Sequence, residues 1–148
     1  MIRIRPLTAE HVSAVHAMMK TFYASDAVHT NGSDEIFAAD LQACISDNPY
    51  LEGFVFLLED TVVGYAMIAK SFSTEFGRPC IWIEDIYLES HVRGQGTAGR
   101  FFAYLEESFP GSILRLEAEE GNEFAVRAYR KAGFDVMPYL EMFKLLSV

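Results

Sequence analysis

The feature that most constrains this chain is an apolar run that leads into bare backbone. Cys80 to Leu88 (CIWIEDIYL) is apolar on both alternating faces apart from Glu84 and Asp85, the pattern of a central strand covered on both sides. Shortly after it come Gly94, Gly96 and Gly99, three of the chain's ten glycines. Ala98, Phe101, Phe102, Leu105 and Phe109 then recur at helical spacing until Pro110. Ile113 to Ala118 reads as a further strand, so the helix is a crossover back to the sheet. The first turn of a helix carries unsatisfied N–H groups and a positive dipole end. Glycines let a ligand approach that backbone closely. Together they make an anion site, above all for phosphate.

The rest of the chain builds around that unit. Ile2 and Ile4 alternate with Arg3 and Arg5 until Pro6 stops a first strand. Val12, Val15, Met18, Met19 and Phe22 predict a helix to about Ala24. A loop spans Ser25 to Gly32. Ser33 is a cap for a second helix, with Asp34 and Glu35 in its first turn and Ile36, Phe37, Leu41, Cys44 and Ile45 on its apolar side. Asn48-Pro49 ends it. Gly53 to Leu58 and Val62 to Ser71 are strand runs joined by a short hairpin at Glu59-Asp60-Thr61. Glu123 to Ala132 is a helix with Gly133 at its left-handed end. Phe134 to Met137 and Glu141 to Leu146 are expected to close the sheet. The element order is β-α-α-β-β-β-α-β-α-β-β, an α/β chain with a mixed, mostly antiparallel sheet of about seven strands flanked by about four helices. No linker or repeat divides the 148 residues, which are expected to form one domain.

A hydrophobic content of 51% argues against disorder. The net charge of −9 argues against nucleic acid as the main partner, because phosphate backbones demand clustered Lys and Arg. It suits a cationic small molecule as well as solubility. Cys44 and Cys80 make no disulfide framework and read as small buried hydrophobes in a reducing compartment. Met1 to Arg5 is no signal-peptide core, and Val62 to Ala69 is too short to span a bilayer. The expectation is a soluble cytoplasmic protein without a membrane partner.

Gly94-Gln95-Gly96-Thr97-Ala98-Gly99 satisfies G-x-G-x-x-G, the dinucleotide fingerprint, and Glu117 or Glu119 stands where its ribose-binding acid would. Against that reading, Glu89 to Arg93 separate the first glycine from the strand, and the upstream chain reads as a β-meander. A P-loop fails, because Arg100-Phe101 stands where Lys and Ser/Thr are required.

The stretch EDIYLESHVRGQGTAGRFFAYLEE resembles the acyl-CoA-binding motif of the GCN5-related N-acetyltransferase (GNAT) family: Gln or Arg, two residues, Gly, one residue, then Gly or Ala. Arg93, Gly96 and Ala98 match it. In NEFAVRAYRKAGF, Asn122, Ala125, Tyr129, Gly133 and Phe134 are similar in spacing to the family's second block. The resemblance covers nearly the whole chain and implies the GNAT fold, acetyl-CoA as co-substrate and a primary amine as acceptor. It implies that Arg93, Gly94, Gln95, Gly96, Thr97, Ala98 and Gly99 hold the pyrophosphate. Ile86, Tyr87 and Leu88 would pair with the pantetheine arm, which Asn122 would also hold unless it only caps the helix. A bulge is expected there, splaying two parallel strands. The homodimers common in this fold are an expectation as well.

Amine attack on a thioester needs a base, stabilisation of the tetrahedral species and an acid for the departing thiolate. It needs no metal, and neither cysteine stands in a nucleophile's context. Tyr129 matches the family's acid. IEDIYL resembles the diamine/polyamine acetyltransferase branch, where a glutamate at the position of Glu84 relays the amine's proton. Asp85 is the alternative base. Strand alternation should send Glu84 and Asp85 to opposite faces. Tyr23, Asp26 and His29, in the loop after the first helix, are candidates for binding a cationic amine. The acceptor reads as polyamine-like or amino-acid-like, with peptide N-termini, ribosomal lysines and aminoglycosides left open. A CoA-binding sensor without turnover is the other reading of the same motifs.

Overall fold

In the computed structural model, residues 1–25, 28 and 32–148 are described. Five strands form one sheet in sequence order: β1 (Arg3–Pro6), β2 (Leu51–Leu58), β3 (Thr61–Ser73), β4 (Arg78–Leu88) and β5 (Ile113–Leu116). Strands β1 to β4 are antiparallel neighbours, and β5 joins β4 in parallel. The helices are α1 (Val12–Tyr23), α2 (Asp34–Ile45), α3 (Thr97–Ser108) and α4 (Glu123–Lys131). Among the described residues, no helix is long and apolar enough to cross a membrane.

The local chemistry explains most boundaries. Ser33 caps α2 by accepting from the Ile36 N–H at 3.2 Å. Glu59 and Asp60 take φ of +50° and +66°, the twist that a two-residue hairpin loop needs to match its strands. Gly133, at φ +100°, follows α4. Strand β1 ends at Pro6, as expected, and Pro6 itself still pairs with Phe54, which an edge strand allows because one side needs no N–H.

Alternation along the strands divides the core. On one face Phe54, Phe56, Ala66, Ile68, Ile81 and Ile83 meet Phe101, Phe102 and Leu105 of α3. Phe101 is fully buried and meets Phe54 and Phe56 edge-on. On the other face Val55, Leu57, Tyr65 and Met67 meet Val15, Met18 and Met19 of α1 and Phe37 and Leu41 of α2.

Two expected strands do not form. Phe134 to Met137 and Glu141 to Leu146 carry no strand, so the sheet has five members instead of seven. Their apolar content suggested strands, but among the described residues no neighbour strand supplies the hydrogen bonds a strand requires. The dinucleotide reading also loses its context. Strand β4 enters the glycine loop from an antiparallel meander and through a short helical turn at Ser90–Val92, whereas that fingerprint opens a βαβ unit.

Candidate active site

Strand β4 is irregular where its two acids stand. Met67 of β3 pairs with Asp85, and the next residue, Ile68, pairs with Ile83. Glu84 is therefore the extra residue of a β-bulge. The side chains record the same shift. Ile83 and Ile86, three apart, both pack on the α3 face, while Tyr87 joins the α1/α2 face. The expectation that Glu84 and Asp85 point to opposite faces is thus corrected. The bulge resets the alternation and leaves both on the α1/α2 side.

Asp85 is buried, with 5% of its surface exposed. Tyr65 donates its hydroxyl to Oδ2 at 2.7 Å, and Tyr23 donates to Oδ1 at 2.9 Å. Burial lifts the Asp85 pKa above the ordinary aspartate value, and the two phenols offset part of that rise. Both tyrosines are pushed up in turn, by burial first and the Asp85 charge second. Asp40 of α2 faces the same carboxylate, and its pKa is raised by desolvation and then by Asp85. Glu84 is exposed, and its pKa is also raised, by desolvation first and then by Asp85, Asp40 and Glu141. The Cys44 thiol is pushed up to about 12 by burial and the surrounding acids, so it is no nucleophile at neutral pH. Among the described residues no Lys or Arg pairs with Asp40, Glu84 or Asp85.

Beside the bulge, β4 parts from β5. Their parallel pairing covers Cys80 to Ile83 against Ile113 to Leu116 and stops there, while β4 continues to Leu88. The Glu89 N–H donates to Val63 of β3 at 2.9 Å. By alternation Tyr87 also turns its backbone groups to β3, and Ile86 and Leu88 turn theirs into the opening. The Leu88 carbonyl is already used, because Arg93 Nε donates to it at 2.7 Å. Ile86 is left with both backbone groups facing the slot. Arg93 also lies over the Tyr87 ring at 5.6 Å, so it fastens the strand end to the glycine loop.

In that loop Gly94 and Gly96 have φ of +75° and +79°, and Gly96 is the residue from which α3 starts. Added side chains there would meet open space, so the backbone conformation is what demands glycine. Gly99 differs. Its φ is ordinary for a helix and nothing lies within 4 Å of where a Cβ would stand, which leaves the first turn of α3 open on that side. Gln95 is exposed and Ala98 packs on the core. Thr97 is buried to 2%, and its Oγ1 has no hydrogen-bond partner among the described residues. A buried hydroxyl left unsatisfied at a helix N-terminus fits an oxyanion ligand.

Tyr129 projects from α4 onto Phe102 and Phe134, edge-on to both rings. Burial alone raises its pKa, so the hydroxyl keeps its proton at neutral pH. Asn122 caps α4, its Oδ1 accepting from Ala125 N–H at 3.2 Å. Glu117, just past β5, shares a hydrogen bond with Glu141 and is pushed up to about 7 by that bond, by burial and by the Glu141 and Glu84 charges. Asp26 and His29 lie outside the described residues.

Sequence reading missed Tyr65 and Asp40. Tyr65 is masked by the apolar run around it. Asp40 left a signal: Phe37, Asp40, Leu41 and Cys44 follow the i, i+3, i+4, i+7 spacing of one helix face. A carboxylate on the buried stripe of α2 is a polar group that must meet something.

The acetyltransferase (GNAT) family profile matches residues 14–134. No curated protein sequence matches the chain significantly. Among similar solved structures, one described as a possible acetyltransferase from Clostridium difficile 630 has a TM-score of 0.80 at 17% identity, over 100% of this chain and 99% of that one. The aminoglycoside N-acetyltransferase AAC(6')-Iy in complex with CoA gives 0.79 at 15% identity, over 98% and 95%. A predicted acetyltransferase from Clostridium acetobutylicum, with acetyl-CoA, gives 0.74 at 19% identity, over 97% and 96%. At such identities these structures speak for the fold, and the profile, which spans most of the chain, speaks for the family. The chain belongs to the GNAT acetyltransferase family.

Proposed function

We propose that this enzyme transfers an acetyl group directly from acetyl-CoA to the primary amine of a small, polycationic acceptor. The observation that carries the reading is the bulge at Glu84, which sets two acids beside a strand edge that β5 has vacated. Family membership brings acetyl-CoA as co-substrate. The residues fit it: an open helix N-terminus at Gly96 to Gly99, an unpartnered Thr97 hydroxyl and the free backbone of Ile86. Acetyl-CoA supplies an activated thioester carbonyl.

The chain's own groups do the rest. Main-chain N–H groups of the loop hold the pyrophosphate, with Arg93 at its border. Ile86 fixes the pantetheine arm as an added strand would. Asp85, locked by Tyr23 and Tyr65, gives the acceptor's ammonium a fixed negative partner, and Asp40 adds to that field. Glu84 takes the proton from the ammonium, directly or through water, and the freed nitrogen forms the N–C bond. As the C–S bond breaks, Tyr129 gives the sulfur its proton. The unpaired acids favour polyamines and aminoglycoside-like polycations over amino acids, whose carboxylate they would repel.

Release of CoA across a panel of diamines, polyamines, aminoglycosides and amino acids tests this. Polycations should turn over fastest. The Glu84→Gln variant should lose about 10²-fold or more in kcat at pH 7. The loss should shrink at high pH, where the amine is already neutral. Tight acetyl-CoA binding with no turnover on any amine would leave a sensor instead.

A further inference from the structure

Asp85 is the acid on which the site converges, and it is closed off. Only 5% of its surface is exposed, so no acceptor nitrogen reaches its oxygens unless a neighbour moves. The two phenols that cover it are not equivalent. Tyr65 lies within β3 with none of its surface exposed, and the rings of Phe22 and Tyr87 pack against it. Its hydroxyl is fixed on Oδ2 at 2.7 Å. Tyr23 is the last residue of α1 and only half-buried. Its ring meets Phe22 at 5.5 Å and Phe37 at 5.2 Å, and its hydroxyl makes the longer bond, to Oδ1 at 2.9 Å. Gly32 comes back onto the same residue, since a Cβ there would stand 2.9 Å from the Tyr23 Cβ. Of the two donors, Tyr23 is the one that can leave without disturbing the sheet.

A cation has reason to replace it. A neutral donor would exchange one hydrogen bond for another with little gain. An ammonium brings the opposite charge that a phenol lacks. It would also ease the mutual repulsion of Asp40, Glu84 and Asp85, beside which no Lys or Arg is paired among the described residues. The reacting nitrogen cannot remain that cation, because it yields its proton to Glu84 and becomes an amide. The lasting partner of Asp85 is a second nitrogen of the acceptor.

We propose that Tyr23 is the specificity gate of the acceptor site: its hydroxyl closes Asp85 Oδ1 in the free enzyme, and a second ammonium of the acceptor displaces it there. An acceptor with one nitrogen has nothing to open the gate with. The inference rests on the acetyl-transfer reading with Glu84 as base, and deepens it.

Rates of CoA release with a linear diamine and a monoamine of matched length test the gate. Tyr23→Phe keeps the ring against Phe22 and Phe37 and removes only the competing hydroxyl. Its KM for the diamine should fall about three- to tenfold, while its KM for the monoamine stays within about twofold. Tyr65→Phe, which takes away the fixed donor, should instead raise the diamine KM. Adding the diamine to the wild type should also give a tyrosine ultraviolet difference signal. Its absence from Tyr23→Phe would assign it among the seven tyrosines. A Tyr23→Phe variant with higher KM for both amines has merely loosened the site, and that result overturns the gate. So does an equal change for both amines, or a difference signal that is missing from the wild type or persists in the variant. Diamine turnover in the wild type with these results would remove the gate alone. No CoA release with any amine would remove the acetyl-transfer reading and the gate together.

Discussion

Asp85 is a buried carboxylate that receives two phenol hydroxyls and, among the described residues, no cation. Its pKa is raised in the folded state. The native chain therefore binds more protons than the unfolded one between the ordinary aspartate pKa and the folded value. Stability is fully present below the ordinary value and falls as pH rises through that window. Asp85→Asn removes the charge and keeps a hydrogen-bonding partner for each tyrosine. It should raise the melting temperature by about 2–4 °C at pH 8 and by much less at pH 4. The same variant should raise KM for a polycationic amine. Equal melting gains at both pH values would show that the native charge is not the source of the cost. Tyr129→Phe belongs at this scale too. It should lower kcat while leaving acetyl-CoA affinity within a factor of about two, because the ring contacts with Phe102 and Phe134 persist. An unchanged kcat would remove the hydroxyl from the reaction.

At the scale of elements, the proposed acetyl-CoA site joins the glycine loop to the bulged strand, and its two kinds of glycine would separate folding from binding. Gly96 stands at φ +79°, so Gly96→Ala should cost about 1–2 kcal/mol of stability in urea unfolding. Gly99 is helical and faces open space, so Gly99→Glu should leave stability unchanged or slightly higher and abolish acetyl-CoA binding by filling the open turn with a like charge. The elements were legible where a local rule governs them: the Ser33 cap, the Glu59-Asp60 hairpin, the glycines before α3 and Gly133 after α4. Glu84 stood out as an acid in an apolar strand. Its side of the sheet did not: the resemblance implied a bulge at Ile86 to Leu88, but where it falls is decided by the pairing between β3 and β4, which places it at Glu84. Tyr65 was hidden for a related reason: what gives it meaning is Asp85, twenty residues away in sequence and one strand over.

The whole molecule sets what a single sequence cannot announce. The order of elements through α4 followed from periodicity, and the last two expected strands failed because a strand needs a neighbour as well as a pattern. Phe134 still packs on the core, whereas Leu140, Met142, Phe143, Leu145 and Leu146 have the composition of an interior and the exposure of a surface. On the proposed function, the net charge of −9 would act at the same scale, drawing a cationic acceptor toward the acids of the bulge while leaving the pyrophosphate to a local cluster of N–H groups. This local cluster and the open edge of β4 form the proposed acetyl-CoA site. The most direct measurement is a calorimetric titration of the purified chain with acetyl-CoA and, separately, with NAD and NADP. Micromolar-range binding of acetyl-CoA, lost in Gly99→Glu, and no binding of either dinucleotide are the expected result. Heat with a dinucleotide and none with acetyl-CoA would put a different ligand on the glycine loop.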